Sequence, residues 1–499
     1  MLYILLAVNT GLQAQYSTFE VTPSFKDDPI AEMLDSLDAV NYLDRSLAKP
    51  PFPRYNKYHF SEDSVPRYDE FVYEARLAKL DAQSPFDLQY NPAVKGYIEL
   101  YTVRKRELVS RIMALSQLYY PIFEQALDRH NMPLELKHLA VIESALNPVA
   151  KSRAAACGLW QFMYYTGKMY NLNVTSYVDE RSDVYKSTEA ACQYLKYLYG
   201  LFGDWQMVLA AYNGGPGTVN KAIRRSGGKK TYWEIRPFLQ KETQGYAPAF
   251  IAANYVMNYT AEHNIYSAIP KKIFFQVDTV AVKQAITFGQ LSSVLNMPID
   301  EIQYLNPCYK KNFIPSPPSN GEPYTLCLPS AKIGSFITNE QAIYDYLKRD
   351  TVTSKAILAS QEQMKTHTVR KGEKITTIAN KYRCSVADIK SWNSLKSAYI
   401  KPGQKLTIYM PANKSLTQNP ISAPIKAVAS TTATKPVTTK AAEVVVAGEY
   451  KYHILKAGDN LWSISKEYNL TLDELKKMNN FGSYYKLLPG DKIKVGKGG

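Results

Sequence analysis

The sequence predicts a multidomain chain of the α plus α+β class, in which one all-α domain is followed by small βααβ modules. Three observations indicate this. Apolar residues recur at helical spacing from about residue 94 to residue 260, the tail contains an internal repeat, and a segment rich in Thr, Ala, Pro and Lys separates the two repeat copies. At 499 residues the chain is long enough for about two to four domains.

The N-terminus begins with an apolar run, residues 1–8, that is too short to span a bilayer. The small residue Ala14 would stand just before a cleavage point, so residues 1–14 are interpreted as a secretory signal peptide. Its removal would leave no transmembrane span, and export predicts a location in the periplasm or cell envelope, with outer-membrane association as a further option. Residues 15–93, which contain Pro clusters, are expected to form a helical lead-in that packs on the all-α domain.

The all-α domain is predicted over residues 94–268. Asn91-Pro92 marks its start, and Leu108, Ile112 and Leu115 then recur at helical spacing. Pro and Gly residues divide the segment into helices of ordinary length, among them a helix expected over residues 133–146.

The tail carries the repeat. Residues 367–372 correspond to 453–458, and residues 401–408 correspond to 488–495, so the offset of 86 becomes 87 after one insertion. The tail is therefore divided into a degenerate module (271–330), a linker (331–364), a first full module (365–409), a flexible linker rich in Thr, Pro, Ala and Lys (410–449) and a second full module (450–496).

The repeat resembles the LysM module over nearly its whole length in both copies. The resemblance implies a βααβ fold that binds N-acetylglucosamine-containing glycans in a shallow groove. In the first copy the groove would lie near residues 371–373 and 397–400, and in the second near 457–459 and 483–487.

The net charge of +15 is concentrated in these modules. Residues 365–409 contain ten Lys and Arg against two Asp and Glu, and residues 450–499 contain nine against five. Such a surface favours a polyanion, and the export signal disfavours nucleic acid, so bacterial wall polymer is the expected partner. The sequence does not indicate an oligomeric state.

The five cysteines include one pair, Cys308 and Cys327, that flanks a Pro/Ser-rich loop and is expected to be able to form a disulfide in an oxidising compartment. His-rich zinc signatures such as His-Glu-x-x-His do not occur, so no metal and no cofactor are predicted.

Four short motifs fall in order inside the helical domain. They are Glu143-Ser144, Gly158-Leu-Trp-Gln161, Ala211-Tyr212-Asn213 and Glu242-Thr-Gln-Gly-Tyr246. Glu143 comes after apolar Leu139 and Ile142, so partial desolvation would raise the pKa of its carboxyl, as a general acid working near neutral pH requires.

Together these motifs resemble the soluble-type lytic transglycosylase family, which has the goose-type lysozyme fold. The resemblance implies that Glu143 is the catalytic acid and base. It also implies that Gln161, Tyr212 and Asn213 hold the N-acetyl sugars, that Tyr246 binds near the carboxylate, and that Ser144 helps to set the local geometry of the substrate site.

Three residues depart from the family pattern. Ala155 stands where Gly is usual, Cys157 where an aliphatic residue is usual, and Tyr164 where Pro is common. Cys157 is interpreted as a small packed hydrophobe rather than a nucleophile.

The resemblance supplies only one catalytic carboxyl, whereas ordinary glycosidases need two. It therefore implies lytic cleavage of the β-1,4 bond between N-acetylmuramic acid (MurNAc) and N-acetylglucosamine (GlcNAc) in peptidoglycan, with closure of a 1,6-anhydro ring by the substrate's own C6 hydroxyl.

Two alternatives stay open. A lysozyme-type hydrolase would use Asp179, Glu180 or Asp183 to position water, although acids at helix starts are more often capping and ion-pairing residues. A noncatalytic scaffold would only grip glycan.

Overall fold

The structure is a computed structural model. It describes residues 28, 30–32, 35, 56–317, 322–349, 363–382, 384–393, 395, 397–410, 446–447, 450–455, 464, 468, 470–479 and 491–497. The predicted signal peptide, most of the linker 410–449 and the groove segments 457–459 and 483–487 of the second module lie outside these residues. Within the described part of the chain no helix is long and apolar enough to cross a membrane.

The first described part is helical. Its α-helices are α1 (Glu70–Asp81), α2 (Pro92–Glu99), α3 (Arg106–Arg129), α4 (Leu139–Ser144), α5 (Tyr164–Met169), α6 (Val184–Phe202), α7 (Trp205–Gly214), α8 (Pro216–Arg225), α9 (Tyr232–Ile235) and α10 (Lys241–Asn258). A π-helix (Leu100–Arg104) joins α2 to α3, and 3-10 turns lie at Leu134–His138, Glu180–Ser182 and Arg236–Phe238.

Helix α10 is central to this domain, because every residue from Tyr246 to Val256 is buried. Small residues allow its neighbours to come close. A Cβ atom at Gly245 would collide with the hydroxyl of Tyr97 on α2. Helix α1 contributes Tyr73 and Leu77 to the same core, so part of the predicted lead-in packs into the helical domain.

The next unit has its own core. Strands β1 (Val277–Val282) and β4 (Tyr324–Pro329) pair antiparallel, as do the short β2 (Ile286–Thr287) and β3 (Phe313–Ile314), with α11 (Phe288–Leu295) and α12 (Ile299–Leu305) between them. A 3-10 turn, Phe274–Gln276, precedes β1 and another, Lys310–Asn312, precedes β3.

One expectation for this unit was wrong. The linker predicted over 331–364 instead begins as helix α13 (Ser330–Arg349), which buries Phe336, Ile343 and Tyr344 in the core of the unit. The spacing of seven residues between Phe336 and Ile343 places both on one helix face. Cys308 and Cys327, the pair for which the sequence allows a disulfide, are both free thiols in the structure.

The first full module has the predicted βααβ order. Strands β5 (Gln363–Thr368) and β6 (Lys405–Met410) pair antiparallel and enclose α14 (Ile375–Tyr382) and α15 (Val386–Trp392). In the second module β7 (Val446–Ala447) pairs with β8 (Tyr450–Ile454), which pairs with β9 (Lys492–Lys497), and α16 (Leu472–Met478) lies between β8 and β9 in sequence.

The two modules repeat the same internal hydrogen bonds. A histidine Nδ1 lies 2.9 Å from a tyrosine hydroxyl in the pair His367–Tyr382 and 3.0 Å in the pair His453–Tyr468. An asparagine Nδ2 donates over 2.8 Å to a carbonyl of the last strand, from Asn393 to Thr407 and from Asn479 to Lys494. The offset between these partners is 86 residues until the last strand, where it becomes 87, as the sequence predicts.

Candidate active site

Glu143 lies in the last turn of α4. The helix ends directly after it because Ala145 and Leu146 adopt left-handed backbone conformations, with φ of +50° and +60°, before Pro148. Left-handed residues other than glycine are strained and cluster at functional sites. The predicted helix 133–146 is therefore split into the 3-10 turn Leu134–His138 and the short α4, and Glu143 is half-buried at its end.

Tyr246 of α10 brings the two most distant motifs together. Its buried hydroxyl donates a hydrogen bond to Oε1 of Glu143, 103 residues away in sequence. Burial raises the pKa of Glu143 to about 8. The Tyr246 hydrogen bond acts in the opposite direction, and the nearby charge of Glu242 adds to the rise. The carboxyl group of Glu143 is consequently protonated at neutral pH.

Ser144 does not face the space beside Glu143. Its side chain is 0% exposed, and its hydroxyl lies 2.9 Å from the carbonyl oxygens of both Ala140 and Leu159. Ser144 thus ties α4 to the Gly158–Gln161 loop, and the structure places it behind the site rather than in it.

The Gly158–Gln161 loop is held from the other side by Arg181. Gly158 has a φ of +87°, and a Cβ atom there would collide with the backbone carbonyl of Arg181. The guanidinium of Arg181 donates to the carbonyl oxygens of Ala155 and Phe162, over 3.0 Å and 3.2 Å, on either side of the loop.

Gln161 is half-buried in a left-handed conformation, with a φ of +48°. Its side-chain Nε2 donates to the carbonyl of Gly158 over 2.8 Å and to that of Ala150 over 3.2 Å. Trp160 is fully buried beneath the loop and donates from Nε1 to Thr188. The loop therefore has a fixed shape that includes the Gln161 side chain.

Tyr212 and Asn213 end α7 beside the same loop. The Tyr212 hydroxyl donates to the carbonyl of Trp160 over 2.7 Å. Burial, and next the charge of Glu143, raise the pKa of Tyr212 well above its ordinary value, so this phenol remains a proton donor. Both residues named in the sequence motif thus lie in the neighbourhood of the acid.

Two residues that were not named as site residues hold Asn213. The hydroxyl of Thr243 donates to Oδ1 of Asn213 over 2.7 Å, and Nδ2 of Asn213 donates to Oε1 of Glu242 over 3.3 Å. Both belong to the Glu-Thr-x-x-Tyr motif, which was the signal available in the sequence. The exposed Glu242 is also the carboxylate whose charge acts on Glu143.

The acids of the hydrolase alternative are in structural contacts. Asp179 is buried against Arg181 with two bonds of 2.9 Å, and the guanidinium holds the pKa of Asp179 at about 2 although burial acts to raise it. Glu180 accepts from Lys186 and from the amide of Asn173, and Asp183 caps the N-terminus of α6.

The departures from the family pattern have different consequences. Ala155 has a φ of +67°, a conformation that suits the usual Gly. Cys157 is fully buried, and burial raises the pKa of its thiol, so it packs as a hydrophobe. Tyr164 contacts the first βααβ module.

Among the residues that the structure describes, no cluster of His, Cys, Asp and Glu could hold a metal ion.

Three protein-family models match the chain, and their order along the sequence is the same as that of the structural units. Residues 120–235 match the transglycosylase SLT domain, residues 276–345 match the lytic transglycosylase MltD LysM-like domain, and residues 367–408 and 453–496 match the LysM domain. The second match includes most of α13, which agrees with the packing of that helix.

Three relatives illustrate the similarity. The membrane-bound lytic murein transglycosylase D of Escherichia coli K12 is 27% identical over 379 residues, which is 73% of each chain. The N-acetylmuramoyl-L-alanine amidase sle1 of Staphylococcus aureus is 30% identical over 28% of this chain and 35% of its own length. The solved 70 kDa soluble lytic transglycosylase SLT70 of Escherichia coli superposes with a TM-score of 0.27 and 18% identity, over 49% of this chain and 45% of that chain.

The site motifs lie within or beside the segment matched by the transglycosylase domain, and the matched glycan-binding domains come after it. The chain therefore combines a transglycosylase SLT domain with an MltD LysM-like domain and two LysM domains, and over most of its length it is similar to a lytic murein transglycosylase.

Proposed function

We propose that the chain cleaves the β-1,4 bond between MurNAc and GlcNAc in peptidoglycan and leaves 1,6-anhydro-MurNAc ends, with Glu143 as its only acid and base. The observation that carries this proposal is the half-buried carboxyl of Glu143, whose Oε1 accepts a hydrogen bond from Tyr246 and whose pKa burial raises to about 8. A carboxyl with a pKa of about 8 holds a proton at neutral pH that it can give to a glycosidic oxygen.

In the first half of the reaction Glu143 protonates the oxygen between the two sugars, and the C1–O bond of MurNAc breaks. Positive charge develops at the anomeric carbon, where the neighbouring acetamido oxygen of MurNAc can stabilise it. The loop that carries Gln161 and the end of α7 that carries Tyr212 and Asn213 are fixed by hydrogen bonds, so they hold the N-acetyl sugars without rearranging.

In the second half the carboxylate of Glu143 accepts the proton of the C6 hydroxyl, and the C6 oxygen bonds to C1. Glu143 regains its proton, and no water is consumed. Tyr246 supports this step because its hydrogen bond stabilises the carboxylate that exists between the two proton transfers. Ser144 and Arg181 act indirectly, by fixing α4 and the Gly158–Gln161 loop.

The contacts of Asp179, Glu180 and Asp183 favour the lytic reaction over hydrolysis. A carboxylate that positions water must be able to reach it, whereas Asp179 is buried against Arg181 and Asp183 accepts the first amides of α6. Glu242 is exposed near the site, and its charge acts on the pKa of Glu143.

The LysM modules would place the enzyme on its polymer, and their positive charge suits an anionic wall. The relative from Escherichia coli is named membrane-bound, and the predicted signal peptide would export this chain. We therefore propose a location in the periplasm or cell envelope, associated with the outer membrane.

Mass spectrometry of digested sacculi tests the proposal. The wild-type protein should release anhydro-ended fragments, which are lighter by one water than hydrolysed ones. Glu143→Gln should release none while still binding sacculi, and Glu234→Gln, a change at a surface glutamate, should act like the wild type. Reducing-end products would establish a hydrolase, and full activity of Glu143→Gln would remove Glu143 from its assigned role.

A further inference from the structure

The first LysM module shares a hydrophobic core with the catalytic domain. The buried cluster around Trp392 and Leu406 of the module also contains Tyr164 and Val174 of the helical domain. Apolar side chains from two domains that are buried in one cluster exclude water between them, so burial stabilises the docked arrangement.

Polar contacts at the same place fix the orientation of the module. The hydroxyl groups of Tyr164 and Tyr409 lie 3.2 Å apart, 245 residues apart in sequence. The hydroxyl of Ser176 donates to the backbone carbonyl of Tyr409 over 2.7 Å. Tyr164, the residue that departs from the family's usual Pro, therefore belongs to an interface between domains.

The MltD LysM-like unit, residues 276–345, contacts both the catalytic domain and the first LysM module where these two meet. Nζ of Lys310 donates to the carbonyl of Thr175 over 2.7 Å and lies 3.3 Å from Oδ1 of Asp388 on α15. Burial acts against the charge of Asp388, yet the Lys310 ammonium holds the pKa of that carboxyl below its ordinary value. Backbone bonds from Lys310 to Tyr177 and from Asp179 to Cys308 join the unit to the catalytic domain.

The docked face leaves the predicted glycan groove open. The module uses Tyr409 and Asp388 for docking, whereas the groove implied by the LysM resemblance lies near residues 371–373 and 397–400. Tyr399 is 73% exposed, and Ser397 beside it is exposed as well. The module can therefore bind glycan while it stays docked.

Helix α5 leads from the docking site toward the active site. Helix α5 begins at the interface residue Tyr164 and ends next to Tyr170, about 9 Å along the helix axis. The ring of Tyr170 lies 5.5 Å from that of Tyr194, which lies 5.4 Å from that of Tyr212 in the active site. Helix α5 and the packed rings of Tyr170, Tyr194 and Tyr212 thus lie between the module and the site.

We propose that the first LysM module is docked in a fixed position on the catalytic domain, where it binds a long glycan strand and holds it in place at the active site of Glu143. This inference rests on the proposed function for its consequence in catalysis, although the docking stands by itself. A docked module raises the local concentration of the glycan strand at the active site. Docking should therefore increase the rate of cleavage of long polymers, but not that of short soluble glycans that do not reach the module.

Two variants of the full chain test this inference. Ser176→Arg places a long charged side chain in the interface without changing the LysM module, and Lys310→Glu reverses the charge opposite Asp388. Ser293→Arg, which adds the same charge at an exposed serine on α11, is the control. Amide hydrogen exchange of residues 173–178 reports docking, and release of anhydro fragments from sacculi and from short soluble glycans reports activity.

We expect both interface variants to exchange faster at 173–178 and to cut sacculi about tenfold more slowly, with short-glycan cutting and sacculus binding within about twofold of the control. Unprotected amides at 173–178 in the wild type, or an undocked variant that cuts sacculi at the normal rate, would overturn the inference. Equal losses on both substrates would do so too, since the interface would then only support the fold. A wild type that cuts neither substrate would refute the proposed function, while exchange would still report the docking.

Discussion

Replacing Glu143 by Gln should make the catalytic domain more stable at neutral and alkaline pH while it abolishes cleavage. Glutamine keeps the shape of the side chain and can still accept the hydrogen bond of Tyr246. It removes the negative charge that the buried site disfavours. The site would thus be a place where function is maintained at a cost to stability.

The magnitude comes from the shift in pKa. Glu143 holds its proton up to about pH 8 in the folded protein, whereas its ordinary pKa is 4.5. The folded state therefore binds more protons than the unfolded state between these values, so stability falls as the pH rises through this window. At 1.36 kcal/mol per pKa unit, the loss is about 3 kcal/mol at pH 7 and at most about 5 kcal/mol above pH 8.

The assay is a denaturant titration of wild type and variant at several pH values from 4 to 9. The free energy of unfolding is taken from the transition of the catalytic domain, since the modules add transitions of their own. The two proteins should have similar stability near pH 4, and the variant should gain steadily up to pH 8. Parallel curves across this range would refute the reasoning, because they would mean that Glu143 titrates alike in both states.

Four further substitutions have defined outcomes. Tyr246→Phe removes the hydrogen bond that favours the carboxylate, so the pKa of Glu143 should rise. The alkaline limb of the pH–rate profile should then move to higher pH, and the maximal rate should fall about 10-fold to 1000-fold. Glu242→Gln removes a repelling charge, so the alkaline limb should move down while mass spectrometry still finds anhydro ends. Ala155→Gly should raise the free energy of unfolding by about 1 kcal/mol, as judged by urea titration, because φ is +67° there. Gly158→Ala should lower it by about 3 kcal/mol or more, since the new Cβ meets a backbone carbonyl.

Local sequence patterns were sufficient to predict the βααβ order of the first full module and the helical class of the catalytic domain. The periodicity that predicts a helix acts over a few residues, and the repeat offset is visible directly in the chain. Helix α13 was missed because it follows the closing strand β4, where the module was taken to end, although Phe336 and Ile343 stand at helical spacing. Its burial depends on a core that only the folded unit provides.

The arrangement of the site could not be predicted from local sequence patterns, because its contacts join residues that are far apart in the chain. Tyr246 and Glu143 are 103 residues apart, and only the resemblance to a family suggested that they meet. No local pattern indicates that the hydroxyl of Ser144 points away from the substrate site, because this depends on the carbonyl of Leu159 in another loop. The contact between Tyr164 and Tyr409 spans 245 residues and joins two domains, so neighbouring residues do not encode it either.

The ionisation of Glu143 itself is the most direct test of the central claim. Infrared difference spectra between wild type and Glu143→Gln, recorded from pH 4 to pH 10, isolate the carboxyl band of this one side chain. The account predicts a protonated carboxyl at pH 7 and a midpoint near pH 8. A carboxylate that is already formed at pH 6 would contradict it, because Glu143 would then have no proton to give to the glycosidic oxygen.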